Sequence, residues 1–157
     1  MGGVRRTGLA DLASDPVLQV QFPVGLTNLG NTCYMNSTVQ VLRAIPELQV
    51  ALNNFNDSNA ASHAQPDATM TAHFRELYKD MKQTSEAFPP LMFLNSLRQV
   101  APQFAERARN SNSYAQQDAQ EAWGAIVAAL NTNLDKGAGG KPEKFVDQWL
   151  TGKIETT

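Results

Sequence analysis

Asn28-Leu29-Gly30-Asn31-Thr32-Cys33-Tyr34-Met35-Asn36-Ser37 (NLGNTCYMNS) carries the only cysteine among 157 residues, directly behind an Asn/Gly/Asn/Thr run and at the mouth of an apolar segment. From Cys33 onward Met35, Val39 and Leu42 recur at helical spacing, and Pro46 disfavours α geometry at Ile45, so the pattern predicts a helix over 33–44. Gly25 and Gly30 permit tight backbone turns ahead of it. The thiol then falls in the first turn of a helix, where unpaired N–H groups and the positive end of the macrodipole favour an anion by about 0.3–2 kcal/mol. Asn31 or Thr32 is placed to cap that end. A cysteine attacks only as its thiolate, and a free thiol is just a few per cent ionised at neutral pH, so a reactive thiol needs such a setting. Asn28, five residues earlier, offers a side-chain amide that can face the oxygen of a tetrahedral intermediate. The residue types alone fit a buried structural cysteine at a helix start equally well.

Outward from this stretch the chain reads as helices almost throughout. Pro46 suits the first turn of a short helix with Leu48, Leu52 and Phe55 on one face. Residues 53–65 are small, polar and without period, which predicts an exposed loop. Asp67 reads as the N-cap of a helix whose stripe is Met70, Phe74, Leu77, Tyr78 and Met81. Pro89-Pro90 opens a further segment in which Leu91, Leu94, Leu97 and Val100 repeat before Pro102 ends it. After a polar break at 110–113, Ser113 reads as the cap of a longer helix with Trp123, Ile126, Val127, Leu130 and Leu134 on its apolar face, closed by the glycine turn at 137–140. Phe145 to Leu150 suggests one more short helix, and 152–157 reads as the beginning of a strand. Residues 1–21 are weakly patterned and read as a partly disordered leader, with order beginning near Phe22-Pro23. No internal repeat is visible.

Composition narrows the function classes. With 42% hydrophobic residues the chain can bury a core of its own, and a net charge of −2 without a basic run beyond Arg5-Arg6 does not suggest a nucleic-acid surface. The longest apolar runs, such as Leu91 to Leu94, are far too short to span a bilayer, and no signal-peptide pattern opens the chain, so no membrane partner and a cytosolic or nuclear location are expected. Met1-Gly2 opens like a myristoylation site, but Arg6 stands where that motif requires Ser or Thr. A single cysteine forms neither an internal disulfide nor a thiolate zinc site; no metal or cofactor is expected.

The run Gly25 to Gln40 (GLTNLGNTCYMNSTVQ) closely resembles the cysteine box of the ubiquitin-specific proteases, papain-like cysteine proteases that cut after the C-terminus of ubiquitin. Tyr114-Ala115-Gln116-Gln117-Asp118-Ala119-Gln120-Glu121 resembles the QQDAxE segment of the same family. Phe22-Pro23, Ile45-Pro46-Glu47-Leu48, Phe88-Pro89-Pro90, Pro102 to Glu106 and Ile154 to Thr157 are similar in wording to its proteasome-associated branch. The resemblance implies a mainly α chain as given, the helical thumb subdomain of a papain-like α+β cysteine protease occupying 22–157, incomplete, with palm and fingers absent. It makes Cys33 the nucleophile and Asn28 the oxyanion donor, together with backbone N–H groups near Cys33. It gives Gln116, Asp118 and Glu121 the extended ubiquitin tail, whose arginines a carboxylate accepts in a bidentate, charge-assisted pair. A solvated first turn of a helix explains the same acidic cluster without any ligand.

The family's histidine base and its orienting partner lie in a later box that nothing here matches. The two histidines, His63 in the polar loop and His73 in an amphipathic helix, read as surface or boundary residues. The implied function is a cysteine deubiquitinase represented by the part that carries its nucleophile, the chain alone being inactive. Its implied partners are ubiquitin and its conjugates, the proteasome regulatory particle, and the rest of the catalytic domain, in cis or as a companion chain. The alternatives are a non-catalytic truncated module that binds ubiquitin or the proteasome, and a helical scaffold whose cysteine is incidental.

Overall fold

The computed structural model describes residues 24–56, 65–109 and 111–134. Five α-helices follow one another there: α1 Cys33–Arg43, α2 Pro46–Asn54, α3 Pro66–Gln83, α4 Leu91–Val100 and α5 Ala119–Leu134, with a 3-10 turn at Pro102–Ala105. Among the described residues there are only isolated bridges, Leu26 with Phe88 (parallel) and Arg107 with Tyr114 (antiparallel), so the described part is mainly helical.

The longest helix, α3, packs against α2, α4 and α5, while α1 packs on α5 and α2. Its periodic stripe is what makes this possible: Met70, Phe74, Leu77, Tyr78 and Met81 are all buried, joined by the small residues Ala68 and Thr71. Phe74 lies at 4.6 Å from Tyr78 and stacks at 4.7 Å on Phe93 of α4, within the usual range for favourable aromatic pairs. Asn133 on α5 donates to Thr71 Oγ1 (3.1 Å), which itself donates to the Asp67 carbonyl (2.9 Å), so this buried hydroxyl is paired both as donor and as acceptor. From α1 come Tyr34, Met35, Val39 and Leu42, so the apolar half of the cysteine helix belongs to the same core as α3.

Most of the periodicity reading holds, and the departures have physical reasons. The helix expected over 33–44 runs Cys33–Arg43, with Ala44 at its C-cap. Asp67 is not the N-cap of α3; Pro66 takes the first helical position, where its missing N–H is no loss, and Asp67 sits in the first turn. In α4 the face is rotated from the leucine repeat: Phe93, Leu94, Ser96 and Leu97 are buried while Leu91 is 53% exposed, because the Phe93 ring is drawn onto Phe74. Ser113 does not cap α5. Its hydroxyl meets Ser111 Oγ at 2.6 Å and its carbonyl accepts the Ala108 N–H (3.0 Å), and the helix waits for Asp118. Asn53 and Asn54, expected in a loop, close α2, and Phe55 is its C-cap. The leader, the glycine turn at 137–140, the 145–150 helix and the 152–157 strand lie outside the described residues.

Tyr78 gives the core a measurable pH signature. Its hydroxyl donates to the Val39 carbonyl (2.9 Å), and burial pushes its phenol far above the ordinary tyrosine value. Below that ordinary value both folded and unfolded chains keep the proton. Above about pH 10 the unfolded chain ionises while the folded one does not, so stability falls as pH rises, by up to about 1.4 kcal/mol per pH unit for this group. Denaturant unfolding between pH 9 and 11.5 should show a shallower fall in Tyr78→Phe. Tyr34 adds to the slope, its phenol raised by burial against the opposing pull of Arg98.

Candidate active site

Polar residues on one edge of α1 fix the segment that leads into the cysteine turn. Asn36, Gln40 and Arg43 recur at helical i, i+4, i+7 spacing. Asn36 Nδ2 donates to the carbonyls of Thr27 (3.2 Å) and Leu26 (3.4 Å), while Gln40 Nε2 (2.8 Å) and Arg43 (3.2 Å) donate to that of Val24. On its other side the segment is bonded to Phe88: Thr27 N–H donates to the Phe88 carbonyl (2.9 Å) and Phe88 N–H to that of Gly25 (3.0 Å).

The turn itself has two consecutive residues at positive φ, Gly30 (93°) and Asn31 (53°). Glycine reaches this region freely and asparagine tolerates it better than most side chains. Asn28 Oδ1 accepts the N–H groups of Gly30 (3.0 Å) and Thr32 (3.2 Å) and the Thr32 hydroxyl (3.2 Å). Thr32, fully buried, turns its Oγ1 back to accept the Leu29 N–H (3.0 Å). With Oδ1 facing these donors, the orientation of the Asn28 amide is set by the network and its Nδ2 lies on the opposite side. Neither Asn31 nor Thr32 caps α1, contrary to the sequence expectation. The Thr32 hydroxyl serves the turn, and Asn31 Nδ2 donates to the Tyr114 carbonyl (2.9 Å). The first-turn N–H groups around Cys33 therefore have no side-chain cap.

Cys33 is exposed, and its sulfur accepts a hydrogen bond from Gln116 Nε2 at 2.8 Å, across 83 residues of sequence. Gln116 follows a loop whose arms meet at the Arg107–Tyr114 bridge and through Ala115 N–H to the Glu106 carbonyl (2.9 Å). The Tyr114 ring has the Arg98 guanidinium 3.5 Å and that of Arg107 4.3 Å from its centroid. Gln117 donates to the Gln103 carbonyl (3.0 Å). Asp118 Oδ1 accepts the N–H groups of Gln120 (2.6 Å) and Glu121 (3.1 Å), so this carboxylate is the N-cap of α5. Glu121 stands exposed in the first turn of that helix.

The structure thus brings Cys33 and Gln116 into contact, seats Asn28 on the turn behind them, and starts α5 with Asp118 and Glu121 just beyond. His73 is engaged elsewhere. Its Nδ1 bonds Ser96 Oγ, and because the Ser96 hydroxyl donates to the Met92 carbonyl (3.1 Å), His73 is the donor. His63 lies outside the described residues. Among the described residues no three His, Cys, Asp or Glu side chains form a metal-binding group, and no helix is long and apolar enough to cross a membrane. The sequence reading overlooked Asn36, Arg98 and the ring of Tyr114. For Asn36 the signal was present, a row of Asn, Gln and Arg along an otherwise apolar helix; for Arg98 and Tyr114 there was none, because cation–ring contacts follow from tertiary placement.

Residues 24–157 match the family model described as ubiquitin carboxyl-terminal hydrolase. The chain is 43% identical over 136 residues to ubiquitin carboxyl-terminal hydrolase 6 of Schizosaccharomyces pombe, a match covering 87% of this chain and 25% of that protein. It is 40% identical over 119 residues to ubiquitin carboxyl-terminal hydrolase 6 of Arabidopsis thaliana, covering 72% and 23%. Ubiquitin carboxyl-terminal hydrolase 12 of Saccharomyces cerevisiae is 30% identical over 122 residues, covering 71% and 9%. The chain spans at most a quarter of the length of these relatives.

The buried hydroxyl of Thr32 gives a direct test of how the turn is held. Thr32→Val keeps the shape but leaves the Leu29 N–H without its acceptor, and should destabilise the fold by about 1–3 kcal/mol in denaturant unfolding. Thr32→Ser, which retains the hydroxyl, should lose less.

Proposed function

The chain belongs to the ubiquitin carboxyl-terminal hydrolase family, and we propose that it carries the nucleophile of a cysteine deubiquitinase that hydrolyses the bond after the C-terminal glycine of ubiquitin. One observation carries the reading: the Gln116–Cys33 hydrogen bond joins the two motifs, 83 residues apart, into a single site around an exposed thiol. Cys33, as thiolate, attacks the glycine carbonyl carbon; the carbonyl oxygen takes the negative charge, and the tetrahedral intermediate collapses to a thioester as the amine leaves with a proton. Water then hydrolyses the thioester. The developing oxyanion is met by Asn28 Nδ2 and by the uncapped N–H groups at the start of α1. These donors are worth more to the transition state than to the substrate because they are fixed before charge develops.

Gln116, Asp118 and Glu121 receive the extended, arginine-bearing ubiquitin tail. Capping uses one oxygen of Asp118, which leaves the other for a guanidinium, and Glu121 is exposed beside it. The base that takes the thiol proton and later protonates the amine is assigned to the rest of the catalytic domain, since His73 is committed to Ser96. The thumb of a papain-like fold is the corresponding architectural reading. Phe88-Pro89-Pro90 and Pro102 to Glu106 support placement at the proteasome regulatory particle, in the cytoplasm and nucleus.

In the complete protein, ubiquitin bearing a C-terminal electrophile should form an adduct at Cys33 that Cys33→Ala abolishes. Ubiquitin binding without labelling would make it the non-catalytic module instead. Asn28→Ala should lower kcat by about 10²- to 10³-fold. Asn28 also holds the turn, so Asn28→Asp, which keeps the acceptor and removes the donor, separates the two roles. A comparable fall in both variants assigns the effect to the amide donor, and a small fall in Asn28→Asp assigns it to the turn. The 157-residue chain alone, pure and monodisperse, should release no fluorophore from a ubiquitin C-terminal amide above background. Cys33-dependent turnover there would mean that His63 or His73 serves as the base.

A further inference from the structure

Arg98 reaches both flanks of the cysteine. Its Nε donates to the Phe104 carbonyl (3.1 Å), and the Phe104 ring stacks at 5.3 Å on Tyr34, the residue that follows Cys33. Its guanidinium lies 3.5 Å over the ring of Tyr114, whose carbonyl accepts Asn31 from the cysteine turn and whose neighbour two positions on, Gln116, bonds the thiol. Arg107 approaches the same ring at 4.3 Å and is itself held by the Asn112 carbonyl. Among the described residues neither arginine forms an ion pair with a carboxylate. Two guanidinium groups repel each other, so the attraction of the ring for both cations and the two carbonyl bonds are what gather them here.

We propose that Tyr114 and Arg98 are positioning residues for the deubiquitinase reaction: their stack sets how close the 114–118 segment lies to the thiol, and so the register of Gln116 on Cys33 and of the ubiquitin tail beneath it. The proposal rests on the reading given above. The ring face is the operative element, since the tyrosine hydroxyl takes no part in these contacts. Losing the face frees the segment from α4 while the core, which draws on α1, α3, α4 and α5, stays intact.

The test uses the complete protein with Tyr114→Leu, Tyr114→Phe and Arg98→Met. Three measurements are made: steady-state kinetics (kcat and KM) on a fluorogenic ubiquitin amide, the rate of Cys33 alkylation by iodoacetamide, and the thermal midpoint. Tyr114→Leu and Arg98→Met should lower kcat/KM by about ten- to a hundredfold, mainly through KM, a size expected for misplacement by about 1 Å. Alkylation in both should accelerate as Gln116 withdraws from the sulfur. Tyr114→Phe should match the wild type in all three measurements. Equal impairment of Tyr114→Phe and Tyr114→Leu, wild-type behaviour of Tyr114→Leu, or losses in Tyr114→Leu that merely follow a lowered thermal midpoint would each overturn the proposal. If the wild type itself shows no turnover, the deubiquitinase reading fails, and the alkylation rates of the three variants still decide whether the stack positions Gln116.

Discussion

Everything at this site depends on a backbone reversal that most sequences would refuse. Gly30 and Asn31 both lie at positive φ immediately before α1, and the arrangement persists because one oxygen, Asn28 Oδ1, collects the donors that the reversal exposes. Opening the turn would release the Gly30 and Thr32 N–H groups and the Thr32 hydroxyl together. The loss is cooperative, since Thr32 is at once donor to Asn28 and acceptor from Leu29. An amide suits position 28 because it supplies an acceptor to the turn and leaves a donor facing the other way. A carboxylate would keep the first function and lose the second.

The site is held at two different levels of stability. Behind Cys33, α1 is anchored by side chains that share the core with α3, α4 and α5, and Met35, Val39 and Leu42 are fully buried. In front of it the 106–118 segment is held by backbone bonds, the Asn31 contact and the arginine–tyrosine stack, most of them at half-exposed or exposed positions. Cys33 is thus mounted on the rigid side, and the segment that bonds its sulfur on the side that opens at lower cost. Under the proposed function, that division suits a site that admits an extended peptide and then holds it in register.

The sequence showed the helices and the thiol because both announce themselves locally. Periodic stripes, prolines at helix starts and the break at Pro102 placed α1 to α4 nearly as found, and the residue order around Cys33 put the thiol at a helix start. What it concealed were choices decided by tertiary competition. Thr32 was legible as a helix cap, yet the turn offered its hydroxyl better partners. Leu91 fitted the leucine repeat of α4, yet stacking of Phe93 on Phe74 rotated the helix and left Leu91 outside. Ser113 was a plausible cap, and Asp118, five residues later, displaced it because a carboxylate accepting two backbone N–H groups is the stronger ligand for a helix start.

At Asp118 the structural need that is observed and the role proposed for it are compatible in one residue. As an N-cap it must be fixed, and its bonds to the Gln120 and Glu121 N–H groups fix it. Fixing it places the carboxylate at the N-terminal end of α5, beside the backbone N–H groups it accepts. A carboxylate oriented by one oxygen and exposed at the other is already arranged for a guanidinium, so little side-chain entropy remains to be lost on binding. Glu121, three residues on and lacking such a tether, keeps its rotamer freedom and would surrender it on binding. Of the two acidic residues, the one that builds the helix is therefore the better organised to recognise a cationic tail.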